Sequence, residues 1–192
     1  SDATALHSPV ARNREPDAAQ IEAMVRRAVD LIGGMGSVVP DTAALVVLKP
    51  NIGAKSDPGS GIITDARVVR AVAILVHEAA PDARILIGEA AGGWAHPSMS
   101  DSVPEWIWNN FFEDGFERAG YWETVKELRQ RGIDIDCRDM NFDRSYTMSV
   151  PGSGLAVDEY EIAASIIDAD VWINIPVAKV HGAKITCAMK NH

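Results

Sequence analysis

The chain has 192 residues, 47% of them hydrophobic and 23% charged, and a formal net charge of -9. That length can hold one sizeable α/β core. The acidic balance argues against a general nucleic-acid or anionic-membrane binder, and the absence of any run of about 18 apolar residues argues against a transmembrane helix. The two cysteines, Cys137 and Cys187, lie far apart with no CxxC or Cys/His spacing, so neither a disulfide framework nor a metal motif is indicated. Free thiols fit a reducing compartment, which makes the cytoplasm the expected location. No signal peptide is visible, but residues 1–17, polar and holding Pro9 and Pro16, read as a loose tail that removal of an export signal would also leave.

From residue 18 onward the pattern is that of a single α/β domain. Ile21, Met24, Val25, Ala28, Val29 and Ile32 follow a 3.6-residue period and predict a helix over 18–32, ended by Gly33 and Gly34. The run 43–48 (AALVVL) reads as a buried strand. Thr64 or Asp65 can cap a second helix over 66–80, closed by Pro81, with Val68, Val69, Val72, Leu75 and Val76 turned inward. "RILIG" (84–88) is a second strand, and the β-α-β order predicts a parallel pair. The aromatic stretch 94–112, with Trp94, Trp106, Trp108, Phe111 and Phe112, suits a lid, a partner surface or a peripheral cluster. A helix is expected over about 113–131, a third strand at 133–137 and a loop or hairpin at 141–157. A short helix at about 160–168 should lead into the buried strand 170–175. The expected fold is an open, mainly parallel sheet with flanking helices, strands 43–48, 84–88 and 170–175 lying in its interior.

In such sheets ligands bind at the carboxyl ends of the strands, and three stretches fall there. Lys49-Pro50-Asn51 follows the first strand, "GEAAGGW" (88–94) the second, and "VAKVHGAKITCAMKNH" (177–192) the last. Of the six lysines, only Lys126 lies outside the segments 49–55 and 179–190, so lysine, unlike the scattered arginines, concentrates at these strand ends. Lys49-Pro50-Asn51 would also serve as a plain turn. The glycines at 88, 92 and 93 form neither G-x-G-x-x-G nor a Walker A sequence and would also serve a tight turn. Glu89 can act as a general base, a metal ligand or the partner of a lysine. Lys179 and His181 share a side if the chain is extended there. A helix beginning near Lys184 would align Thr186 with Lys190 and offer backbone donors to an anion. The candidate catalytic residues are His181, Glu89 and Lys179. The candidate ligand-binding residues are Lys49, Asn51, Thr64, Gly92, Lys184, Thr186, Lys190 and Asn191, and no metal ligand is assigned.

"VVLKPNIG", "GIITDARVVRAVAILV", "ILIGEAAGG" and "ADVWINIPVAKVHGAKITCAMKN" together resemble the bacterial and archaeal family called domain of unknown function 362, from about residue 43 to the end and in the family's order. The resemblance implies kinship with uncharacterised proteins often tied to iron–sulfur chemistry through an appended cysteine-rich module. This chain has no such module, so no iron–sulfur cluster is expected within it, and its cofactor is unknown. Family members continue beyond the Lys-Asn element, which implies that the chain corresponds to an N-terminal part of the domain. The sheet is then expected to be completed by a further segment or by a second copy in a homo-oligomer. Two function classes stand. One binds a small anionic carboxylate or phosphate compound at the strand ends, as ligand or as substrate of an enzyme. The other is a non-catalytic cofactor-binding or electron-transfer module working with an iron–sulfur protein. Neither a nucleic acid nor a membrane is an expected partner.

Overall fold

A computed structural model describes residues 16–53, 56–90, 115–152, 154–181 and 184–187. The expected lid or cluster at 94–112, most of the expected tail, and Lys55, Gly92, Lys190 and Asn191 lie outside the described residues.

Helix α1 spans Ala18–Asp30 and opens with a capping box: the Asp17 side chain accepts from the Gln20 amide, and Gln20 answers to the Asp17 amide. Strand β1 (Leu45–Pro50) leads to helix α2 (Ala66–Ala79) and strand β2 (Arg84–Glu89). The expected helix over 113–131 is instead two helices, α3 (Gly115–Arg118) and α4 (Tyr121–Gln130). The break lies at Gly120, whose φ of 79° is left-handed and ends the first helix. Strand β3 (Ile135–Asp139) follows, and a 3-10 turn at Met140–Phe142 leads into strand β4 (Ser145–Ser149).

The expected helix over 160–168 begins as a strand. β5 (Glu159–Ala163) pairs antiparallel with β4, and only α5 (Ala164–Ile167) is helical. Alternation explains the strand: Tyr160 and Ile162 fall on one face of the ribbon opposite Met148 and Tyr146, a cross-strand apolar set that a helix would scatter. Strand β6 (Val171–Ile175) comes next, then a small antiparallel pair, β7 (Lys179–His181) with β8 (Lys184–Thr186). The extended backbone expected at Lys179 and His181 is present. The helix expected from Lys184 is not, because Lys184–Thr186 hydrogen-bonds back to Lys179–His181 as a strand.

The main sheet has the order β3-β2-β1-β6, and every pair in it is parallel. An α/β fold with a mainly parallel sheet and flanking helices is therefore present. The placement of β6 differs from expectation: it lies at the sheet's edge among the described residues, half-buried along most of its length, while β1 and β2 are interior. Successive strands β1, β2 and β3 step to one side, and the chain then returns to place β6 on the other side of β1. The order thus reverses between β1 and β6, and in open α/β sheets such a reversal opens a crevice at the carboxyl ends of the two strands.

One face of the sheet carries the main core. Val46, Leu48, Ile85, Ile87, Ile135 and Cys137 meet α2 and α4, with Val69, Val76, Tyr121 and Leu128 among the fully covered side chains. Helix α2 is buried on more of its circumference than periodicity implied, since Ala71, Ala73 and Ile74 are covered as well. It is clamped from both sides by Arg70, which reaches Glu22 of α1 at 2.9 Å and Glu127 of α4 at 2.7 Å. Residues Val47 and Leu86 alternate to the opposite face and are also buried. Met140 lies over Gly88 there so closely that a Cβ at Gly88 would stand 1.9 Å from the Met140 methyl. Among the described residues no helix is long and apolar enough to cross a membrane.

Asp65, not Thr64, caps α2. Its side chain accepts from the Arg67 amide at 2.8 Å and pairs with the Arg67 guanidinium at 2.7 Å. The Arg67 bonds hold its carboxyl below the ordinary carboxylate value against the opposing effect of burial. A depressed folded-state value means that the stabilisation is present above the unfolded pKa and is lost as pH falls through the folded one. Asp65→Ala is expected to lower the unfolding free energy by about 1 kcal/mol near neutral pH. In urea titrations that difference should shrink as pH drops below about 4.

Candidate functional site

Lys49 is the fifth residue of β1, at the carboxyl edge of the sheet. Its Nζ donates to Glu89 Oε2 at 2.6 Å, Glu89 being the last residue of the neighbouring β2. Strand alternation starts the two side chains on opposite faces, so they meet only by bending over the edge of the sheet. Their side chains are 15% and 10% exposed, which makes this a largely desolvated ion pair. The other Glu89 oxygen accepts from the Ile52 amide at 3.4 Å. Across from Glu89 in the register stands Asp139, whose carboxylate caps the 3-10 turn by accepting from the Asn141 amide.

Asn51 follows β1 and is fixed by Thr64. The two exchange backbone and side-chain bonds: Asn51 N–H to Thr64 Oγ1 at 2.9 Å, and Thr64 N–H to the Asn51 carbonyl at 2.9 Å. The Thr64 hydroxyl then donates to the carbonyl of Ile175, the last residue of β6, at 2.7 Å. A hydroxyl has one proton, so Thr64 has already directed its donor at the protein. The carbonyl of Thr64 accepts from the buried Tyr121 hydroxyl at 2.7 Å. Burial pushes the Tyr121 phenol far above its ordinary value, with the nearby Cys137, Glu89 and Asp65 acting the same way, so it stays a proton donor.

Lys179, the first residue of β7, completes the arrangement. Its ammonium donates to Asn51 Oδ1 at 2.7 Å and to the carbonyl of Ile62. Five of the residues singled out from the sequence, Lys49, Asn51, Thr64, Glu89 and Lys179, are therefore joined through direct bonds and one short stretch of backbone at the β1/β6 reversal. The backbones of His181, Lys184 and Thr186 belong to the β7–β8 pair beside it. Gly92, Lys190 and Asn191 lie outside the described residues. Gly88, read as a turn glycine, has a packing reason in Met140.

Sequence reasoning missed Tyr121 and the carbonyls of Ile62 and Ile175. A tyrosine directly after a helix-breaking glycine is a weak signal for a buried hydroxyl, and carbonyl acceptors have no side-chain signature at all. The arrangement combines one cation, Lys179, with a cation–carboxylate pair, Lys49–Glu89. It sets two ammonium groups, an amide and a carboxylate close together at one rim. It does not offer a phosphate cradle at the amino terminus of α2, because the Asp65 carboxylate occupies that end.

The family described as domain of unknown function (DUF362) matches residues 46–192, and the chain belongs to it. It is also 30% identical over 178 residues to a thylakoid-associated protein of Synechocystis sp.. That match covers 93% of this chain and 46% of the relative, so the chain spans about half the relative's length. No solved structure matches.

Two substitutions test the geometry. Thr64→Val keeps the shape but leaves the Asn51 amide and the Ile175 carbonyl without their bonds, and should destabilise by about 1–3 kcal/mol in chemical denaturation, with Thr64→Ser close to wild type. Glu89→Leu removes the carboxylate that answers Lys49 in a largely desolvated place and should cost about 3 kcal/mol or more. The double variant Lys49→Met/Glu89→Leu should recover much of that loss, giving a large coupling in the cycle.

Proposed function

We propose that the rim at the β1/β6 reversal binds a small anionic molecule through a carboxylate or phosphate group. The supporting observation is the meeting of Lys179 with Asn51 at 2.7 Å and of Lys49 with Glu89 at 2.6 Å, both at the carboxyl end of β1. Lys179 adds its positive charge beside the neutral Lys49–Glu89 pair. Asn51 contributes an amide, and Thr64 braces the two strand ends from behind. With α2's amino terminus closed by Asp65, the charge on a ligand has to be met by side chains rather than by a helix end.

Glu89 gives the same rim its chemistry. An anion drawn to Lys49 competes with Glu89 for the ammonium, and the displaced carboxylate then stands beside the ligand as a base. Binding of this kind weakens with added salt.

Calorimetric titration with inorganic phosphate and with citrate, at matched ionic strength, tests the reading. The wild-type chain should bind at least one of them, and Lys179→Ala should weaken that binding about tenfold, or about 1.4 kcal/mol, with an unchanged far-ultraviolet spectrum. Failure of the wild type to bind either anion, or equal affinity in Lys179→Ala, would remove the proposal.

A further inference from the structure

The opposite face of the sheet holds a cavity of about 240 Å³ that the rim does not use. Its floor is Leu45, Arg84 and Leu86 on the amino-terminal half of β1 and β2, and its wall includes Arg144, Ser165 and Asp168. Leu45 and Lys49 are four residues apart on β1, so the cavity floor and the rim are separated by roughly 13 Å of strand.

Three guanidiniums, Arg84, Arg138 and Arg144, line this cavity against two carboxylates, Asp143 and Asp168. That is a local excess of positive charge in a chain with a net charge of -9. The groups are not equally engaged. Asp143 is committed to the fold: it accepts from the Ser165 amide at 2.8 Å, the Arg144 amide at 3.0 Å and Arg138 at 3.1 Å. Arg138 also donates to the Ser165 hydroxyl at 2.9 Å. These bonds hold α5 and the 143–144 corner against the sheet. Arg84 and Arg144 are held more loosely. Arg84 stands 3.7 Å from Asp136, whose other oxygen is taken by Arg129 at 2.9 Å. Arg144 stands 3.4 Å from Asp168 and leans on the Tyr146 ring and hydroxyl. Close guanidinium–carboxylate bonds are about 2.7–2.9 Å, so both pairs are slack. The side chains of Arg84 and Arg144 are 48% and 71% exposed and can turn their planar forks inward.

The geometry points to a second anion site in this cavity, taking a small carboxylate- or phosphate-bearing molecule between the Arg84 and Arg144 guanidiniums, with Arg138 and Asp143 as the fixed frame. The fork geometry of arginine, which matches two oxygens at once, sets it apart from the lysine rim. The site stands independently of the rim reading.

Amide resonances of Leu45, Leu86, Ala164, Ser165 and Asp168 in the full chain report on it, titrated with inorganic phosphate and with citrate against a sodium chloride control of equal ionic strength. Saturable shifts with a Kd of about 1 mM or tighter are expected. They should persist in Lys179→Ala and weaken at least tenfold in Arg84→Gln/Arg144→Gln. If the double variant fails to fold, Arg84→Gln alone gives the reading, since its side chain is half-exposed. Shifts absent beyond the chloride control, equal in the arginine variants, or abolished by Lys179→Ala would each overturn the site.

Discussion

A single hydroxyl holds the carboxyl edge of the sheet in place. Thr64 sits on the loop before α2, yet its Oγ1 donates to the last carbonyl of β6 and accepts from the first amide after β1. Parallel neighbours diverge where their ladder ends, and nothing in the strands themselves fixes the gap between them. Thr64 bridges that gap, and Tyr121 fixes Thr64 in turn by a buried bond to its carbonyl. The consequence reaches Asn51 and through it Lys179, because Asn51 can present Oδ1 to the ammonium only if its backbone is held. The rim is thus assembled from the core outward, α4 to Thr64 to Asn51 to Lys179.

The lysine that ends β1 acquires its meaning in the same way. A lysine at the end of an interior strand has lost much of its water, and Glu89 answers it from the neighbouring strand end. Such a pair adds little net stability, since the desolvation of both charges offsets most of their attraction. What it does is tie the ends of β1 and β2 together where their ladder stops, through side chains that start on opposite faces of the sheet.

Helices α1 and α2 and the three parallel strands of the β1–β2–β3 side were legible because burial imposes period and composition, whereas the break at Gly120 between α3 and α4 was not. Val46–Leu48 and Ile85–Ile87 are continuous aliphatic runs, and α2 is a nearly unbroken apolar helix between Asp65 and Pro81. What was not legible depended on partners distant in sequence. The run Glu159–Ala163 reads as helix until Ser145–Ser149 is laid beside it. Lys184–Thr186 reads as a helix start until Lys179–His181 pairs with it. By composition alone the aliphatic run 170–175 reads as an interior strand; only the expectation of a sheet completed by a further segment or copy set an open edge beside it, and among the described residues it lies half-buried at that edge. At the rim, the concentration of lysine pointed to Lys49 and Lys179, and position at a strand end pointed to Glu89. The roles of Thr64 and Tyr121 rest on hydrogen bonds to backbone carbonyls, which leave no trace in residue identity.

The strand order also governs how the chain comes together. Val46 pairs with Ile85 through one local β-α-β crossover, but it pairs with Val171 only after a loop roughly three times as long has closed. The longer closure costs about 1 kcal/mol more in chain entropy, and contacts of high sequence separation form late. The β1–β2–β3 side can consolidate around α2 first, with β6 docking onto a preformed edge. The Thr64–Ile175 bond clasps the longer closure at the carboxyl edge. A molecule that filled the rim and bound only the folded chain would act on the folding equilibrium as a latch across that junction.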